Sequence, residues 1–153
     1  MKHNIASPTL AILSFAMLLA GLAPAVHAQD RTTSCSLSTL KGAYSVQGQG
    51  TIITQLPGFP APPFPFAEVA VDFFDGAGNV SGKATVNIDG VVVQATVAGT
   101  YTLNSDCTGT LSLETSVGLP VNESFVVLRN GGLRLVDTDP YVVVSRTMEK
   151  MRD

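Results

Sequence analysis

Histidine is almost missing from this chain: of 153 residues only His3 and His27 carry an imidazole, both within the first 28. If those 28 residues are a removable leader, the rest has no Ser-His-Asp or Cys-His machinery and no imidazole metal ligand. Nor does it have a general base whose ordinary pKa lies near neutrality. Tryptophan is absent and tyrosine occurs three times. The C-terminus, Lys150-Met151-Arg152-Asp153, is charged rather than aromatic, so the aromatic girdles of an outer-membrane barrel are lacking. Positive charge is scarce as well. Setting Lys2 aside leaves 9 − 1 = 8 basic residues against 12 acidic ones, a net charge of −4. No basic stripe forms, which argues against a nucleic-acid partner.

The leader itself has a short basic start at Lys2 and an apolar run from Leu10 to Leu22. It ends in Val26-His27-Ala28, a small-residue triplet of the kind signal peptidase cuts, placing the cleavage before Gln29. The apolar run falls short of the roughly 20 residues that span a bilayer, so the expectation is export, not a retained anchor. No cysteine stands at the cut, which disfavours a lipid anchor. The mature chain, Gln29 to Asp153, suits a single domain in the periplasm or medium that does not span the membrane.

Cysteine occurs twice, at Cys35 and Cys107. In an oxidising compartment the two are expected to pair. Closing a loop of that size stabilises by roughly 4 kcal/mol in the chain-entropy model.

Helical periodicity is also wanting. In its place stand alternating runs broken by turn residues: Ala43 to Ile53, Phe66 to Phe74, Val80 to Ile88, Val91 to Leu103 and Thr108 to Thr115. Three more follow, near Ser124 to Arg129, Leu133 to Asp137 and Tyr141 to Met148. Asp75-Gly76-Ala77-Gly78-Asn79, Asp89-Gly90 and Asn130-Gly131-Gly132 punctuate them. About eight antiparallel strands without crossover helices predict an all-β, up-and-down barrel, with a two-sheet sandwich as the alternative. Gly48, Gly50, Gly82 and Gly99 suit its coiling or leave room inside. Residues 57 to 65 hold five prolines and cannot pair as an ordinary strand, so Leu56 to Phe66 is expected to be a stiff loop capping one barrel end or covering a mouth.

Candidate chemistry is thin. Acidic turns (Asp75 with Asn79, Asp89, Asp106, Asp137 with Asp139) offer calcium-type oxygens but match no calcium loop, so no metal or other cofactor is expected. Glu68 and Asp72 share a strand face about 13 Å apart, too far for a glycosidase pair, and are expected at the surface. Asn79-Val80-Ser81 and Asn122-Glu123-Ser124 are formal glycosylation sequons.

Ser38-Thr39-Leu40-Lys41-Gly42-Ala43-Tyr44 resembles the opening of a lipocalin-type barrel, where a helical turn leads into G-x-W on the first strand. Gly42 and Tyr44 take the G-x-W positions, and the resemblance implies that Arg146 of the final strand packs over Tyr44. Phe74-Asp75-Gly76-x-Gly78, Gly99-Thr100-Tyr101-Thr102 and Asp106-Cys107-Thr108-Gly109-Thr110 resemble a group of small exported bacterial proteins without assigned activity. The meander is also similar to allene-oxide-cyclase-like barrels, which implies an interior for apolar substrates.

Three functional readings follow. The first is a small apolar ligand held in the interior or mouth, lined by Tyr44, Val69, Val71, Phe73, Val97, Tyr101 and Phe125. The second is a filled barrel that meets protein partners through its surface. The third is a cofactor-free cyclase or isomerase resting on a buried carboxylate or tyrosine, which a raised pKa at Glu68, Asp72 or Asp137 would favour. Binding without catalysis is the leading expectation.

Overall fold

A computed structural model describes residues 34–58 and 61–152 of the chain. The proposed leader and its cleavage site lie outside the described residues, as do Phe59 and Pro60. All of the described structure belongs to one unit, Arg31–Asp153. A 3-10 turn, Leu37–Leu40, precedes eight strands: β1 (Gly42–Ile52), β2 (Phe64–Phe74), β3 (Asn79–Ile88), β4 (Val91–Leu103), β5 (Thr108–Thr115), β6 (Pro120–Val127), β7 (Leu133–Asp137) and β8 (Val142–Lys150). Each pairs antiparallel with its chain neighbours, and β8 returns to β1, closing the barrel. The sandwich is thereby excluded.

Strand alternation comes from the pleat, and turn chemistry sets the corners. Asp75 Oδ1 accepts the backbone N–H groups of Ala77 and Asn79 at 2.7 and 2.9 Å, which closes the β2–β3 turn around Gly76 and its φ of +80°. These bonds hold the Asp75 carboxyl down to about 2, with the Asn79 side chain the first cause. Asp106 Oδ1 accepts both the N–H and hydroxyl of Thr108 while Cys107 turns through φ +69°. These turn acids are occupied in shaping backbone. Among the described residues no group of three His, Cys, Asp or Glu side chains is placed to hold a metal ion.

The strands are unequal, and this shapes the mouth. β4 runs for 13 residues, but its pairing with β5 begins only at Val97↔Thr115. β1 to β4 therefore rise above β5, β6 and β7, and the barrel rim is low on the β5–β7 side. At the opposite end, Leu40, Tyr44, Phe74, Tyr101, Leu111, Phe125, Leu133 and Met148 make the main apolar core. The rings of Tyr44, Phe74 and Tyr101 stack edge to face, with centroids 5.2 and 5.1 Å apart. The Tyr101 hydroxyl donates to the Leu37 carbonyl at 2.9 Å and ties the 3-10 turn across this end. The disulfide Cys35–Cys107 fastens the same end, with Cα atoms 5.1 Å apart. A smaller apolar cluster, Ile52, Leu56, Phe64 and Ile88, fills the tall side of the rim.

Two sequence expectations shift here. β2 begins at Phe64, inside the proline-rich stretch, because Pro65 sits at the strand's start and its carbonyl accepts the Asp89 N–H at 3.0 Å. β6 begins at Pro120, taking in Asn122 and Glu123, whose polarity hides the alternation.

Candidate functional site

The face of β2 that turns inward is the one carrying its charges. Phe64, Glu68, Asp72 and Phe74 point into the barrel, while Val69 and Phe73 are 61% and 56% exposed. Val69, Val71 and Phe73 therefore lie on the outer face and do not line the interior. The sequence pattern misleads because β2 is apolar on both faces, and the outer face lacks the acids that the inner one holds. Of the other expected lining residues, Tyr44, Tyr101 and Phe125 are buried in the main core, and Val97 is half-buried against it.

Glu68 and Asp72 are thus buried, contrary to their expected surface position. Glu68, with Glu123 of β6 and Asp137 of β7, surrounds one cation, Arg146 of β8, whose charge also reaches Asp72. Arg146 Nε donates to Glu68 Oε1 and its Nη1 to Glu123 Oε1, with Asp137 Oδ2 3.5 Å from the same nitrogen. The Arg146 guanidinium also lies 5.6 Å from the centroid of the Phe66 ring. Register explains the span. Gly48 stands between Glu68 and Arg146 in the ladder, and a Cβ there would lie 2.6 Å from Glu68 Oε1. The missing side chain lets the acid and base meet across β1. Gly82 makes room for Asp72, whose Oδ1 lies within clashing distance of where a Cβ would stand. The lipocalin-type expectation is corrected at this point: β1 pairs Tyr44 with Lys150, and Arg146 packs on Phe66 and the acids instead.

Four carboxylates face one guanidinium, so the layer is short of positive charge. Asp72, 3% exposed, is pushed up to about 7, first by burial and then by the charges of Glu68 and Glu123, with Arg146 opposing. Burial also raises Glu123, against the pull of Arg146, and raises Asp137. Burial would lower Arg146, but the charges of Glu123 and Glu68 outweigh it and hold the guanidinium ionised. Two acceptors in this layer, Asp72 Oδ1 and Glu123 Oε2, are buried without a hydrogen-bond donor. A carboxyl near half-protonation at neutral pH can give or take a proton from a molecule held beside it.

The layer lies beneath the low rim. Asp137 is the last residue of β7, and its Oδ1 accepts the Asp139 N–H at 2.9 Å. Asp139 in turn accepts the Asn122 backbone and side-chain N–H groups, both at 2.9 Å, which holds the β7–β8 loop against β6. Across from Glu123 and Asp137, β2, β3 and β4 turn Ala70, Ala84 and Ala95 inward in one ladder row, which begins between Glu68 and Asp72. On the outer face of these strands an open groove of about 660 Å³ crosses Ala70, Ala84 and Ala95, between Val69, Thr85 and Gln94 on one side and Val71, Lys83 and Thr96 on the other.

Glu123 escaped the sequence reading, which saw a sequon there. The usable signal was its place between Val121 and Phe125 on a common face. Arg146 entered only through a resemblance.

No protein-family model matches this sequence, and no curated protein is significantly similar to it. Among solved structures, a redesigned β-barrel is similar, with a TM-score of 0.54 at 14% identity, covering 76% of this chain and 96% of that one. That likeness concerns the barrel fold alone.

Proposed function

We propose that this protein is an exported, small-molecule-binding β-barrel whose ligand enters at the low rim and rests on the buried charged layer. The observation that carries the reading is the pairing of that layer with a wall of Ala70, Ala84 and Ala95. A core selected for stability alone fills such positions with large apolar side chains. It also avoids several acids around one arginine, since a buried ion cluster is seldom more stable than an apolar replacement. Small walls and uncompensated charge together are the mark of a site. The half-buried Val97 and Phe66 supply apolar contact on either side, consistent with a ligand that has an apolar body. The disulfide and the absence, among the described residues, of a helix long and apolar enough to cross a membrane agree with export.

Native mass spectrometry of the oxidised protein, recovered from the periplasm or medium of its own host beside a denatured control, tests this. Extra mass that leaves on denaturation is the expected result. A bare native mass, together with no binding of C10–C14 single-chain amphiphiles, would overturn it.

A second reading rests on the outer face of β2, where Val69 and Phe73 stand exposed beside the groove across β2–β4. That apolar stripe suits contact with another macromolecule, and single serine substitutions there distinguish the two readings.

A further inference from the structure

The charged layer has a chemical preference of its own, and the argument for it rests on the interior-binding reading above. Glu68, Asp72, Glu123 and Asp137 supply acceptor oxygens and negative charge, while Arg146 is the single cation among them. Arg146 engages one oxygen each of Glu68 and Glu123 and approaches one of Asp137. What remains is independent of that count. Asp72 Oδ1 and Glu123 Oε2, on side chains only 3% and 2% exposed, have no donor. A buried acceptor left without a donor costs on the order of 1–3 kcal/mol, more when charged. Both acceptors call for N–H or O–H groups, of which the buried Tyr44 hydroxyl, itself without a partner, supplies at most one, and the layer as a whole calls for positive charge.

We propose that the ligand is an amphiphilic amine, whose protonated ammonium group docks between Asp72 and Glu123 while its hydrocarbon body lies along the small-residue wall of β2–β4. An ammonium brings three donors and one unit of charge on a compact head. A hydroxyl brings one donor and no charge. A carboxylate brings neither and would meet a layer already short of positive charge. A metal ion fits less well, because the acids are spread around the arginine and no three converge among the described residues.

Isothermal titration of the full oxidised protein at pH 7.5 with dodecylamine, dodecanol and dodecanoate, each below its solubility or aggregation limit, tests the head group. Dodecylamine is expected to bind at least tenfold more tightly than dodecanol, and dodecanoate more weakly than either. Glu123→Gln and Asp72→Asn should each weaken dodecylamine at least fivefold and leave dodecanol within twofold. Thermal unfolding verifies that each variant is folded, and having two variants keeps the test decisive if one is not. Glu114→Gln, on the exposed face of β5, controls for surface attraction of the amine and should leave its affinity unchanged. Equal binding of amine and alcohol would overturn the ammonium assignment while the apolar-ligand reading stands. An amine effect that follows Glu114 instead of Glu123 would overturn it too. Binding of none of the three would remove the interior-binding reading itself.

Discussion

Replacing a buried ionisable group usually destabilises a protein, yet Asp72→Asn should stabilise this one at neutral pH. The Asp72 carboxyl is 3% exposed, faces Gly82, and titrates near 7 in place of its ordinary 3.8. The folded state therefore holds this proton more tightly than the unfolded chain does. Between pH 4 and 7 the folded protein binds more protons, so stability is full below pH 4 and falls as pH rises toward 7. At 1.36 kcal/mol per unit, the span from 3.8 to about 7 corresponds to roughly 4 kcal/mol lost by pH 7.5. Asparagine fits the same space, carries no charge to desolvate, and can donate from its amide toward Glu68 or Glu123. At pH 7.5 the variant should gain roughly 2–4 kcal/mol, discounting for the new amide contacts. At pH 4.5 that advantage should shrink by roughly 3 kcal/mol, since folded wild-type Asp72 is then still protonated and the pH lies only a little above the ordinary 3.8 of the unfolded chain, so roughly 1 of the 4 kcal/mol has been lost. For a domain of this size the difference amounts to roughly 10 °C or more in Tm. Urea unfolding followed by far-ultraviolet circular dichroism at the two pH values measures it directly. A variant less stable than wild type by the same amount at both pH values would refute the reasoning, because it would make Asp72 an ordinary hydrogen-bonding residue.

Two further outcomes follow from the geometry. The Cys35→Ala/Cys107→Ala double variant should lose roughly 4 kcal/mol against the oxidised wild type, and reduction of the wild type should lower its urea midpoint comparably. Val69→Ser and Phe73→Ser should each change stability by about 0.5 kcal/mol or less and leave amphiphile binding intact, since both side chains face outward. A loss of several kcal/mol from either would mean that β2 is turned the other way.

The barrel itself was legible because its signals are local. Alternation over Val91 to Leu103 and Thr108 to Thr115 gave strands with the observed limits, and Asp-Gly and Asn-Gly turns marked the corners. The disulfide was legible from the count of two cysteines and the expectation of export. The site was hidden for a different reason. Alternation assigns residues to two faces but not to inside and outside, and that choice normally rests on which face is apolar. On β2 the rule inverts: Val69 and Phe73 face out while Glu68 and Asp72 face in, because Arg146, two strand positions away around the ring, neutralises part of their charge. Such compensation is long-range in sequence, 78 residues from Glu68 to Arg146 and 23 from Glu123, and no window along the chain contains both partners.

That inversion divides the barrel into halves with opposite physical purposes. The closed end stacks three aromatic rings, seats the Leu37–Leu40 turn and carries the disulfide, all of which favour one rigid structure. The charged layer between that end and the rim costs stability through unmatched carboxylates and through alanine where larger side chains would pack. A small domain has about 5–15 kcal/mol in hand, so a deficit of several kcal/mol at the rim is tolerable only if the other end overcompensates. Removing the disulfide should therefore make the protein unusually sensitive to neutral pH, where the Asp72 cost is greatest, and Asp72→Asn should restore much of that lost stability in the same chain. The two sites share no contact, so their effects should add within about 0.5 kcal/mol. Additivity in that double-variant cycle would show the closed end offsetting the rim; strong coupling would mean that the two ends form one cooperative core instead.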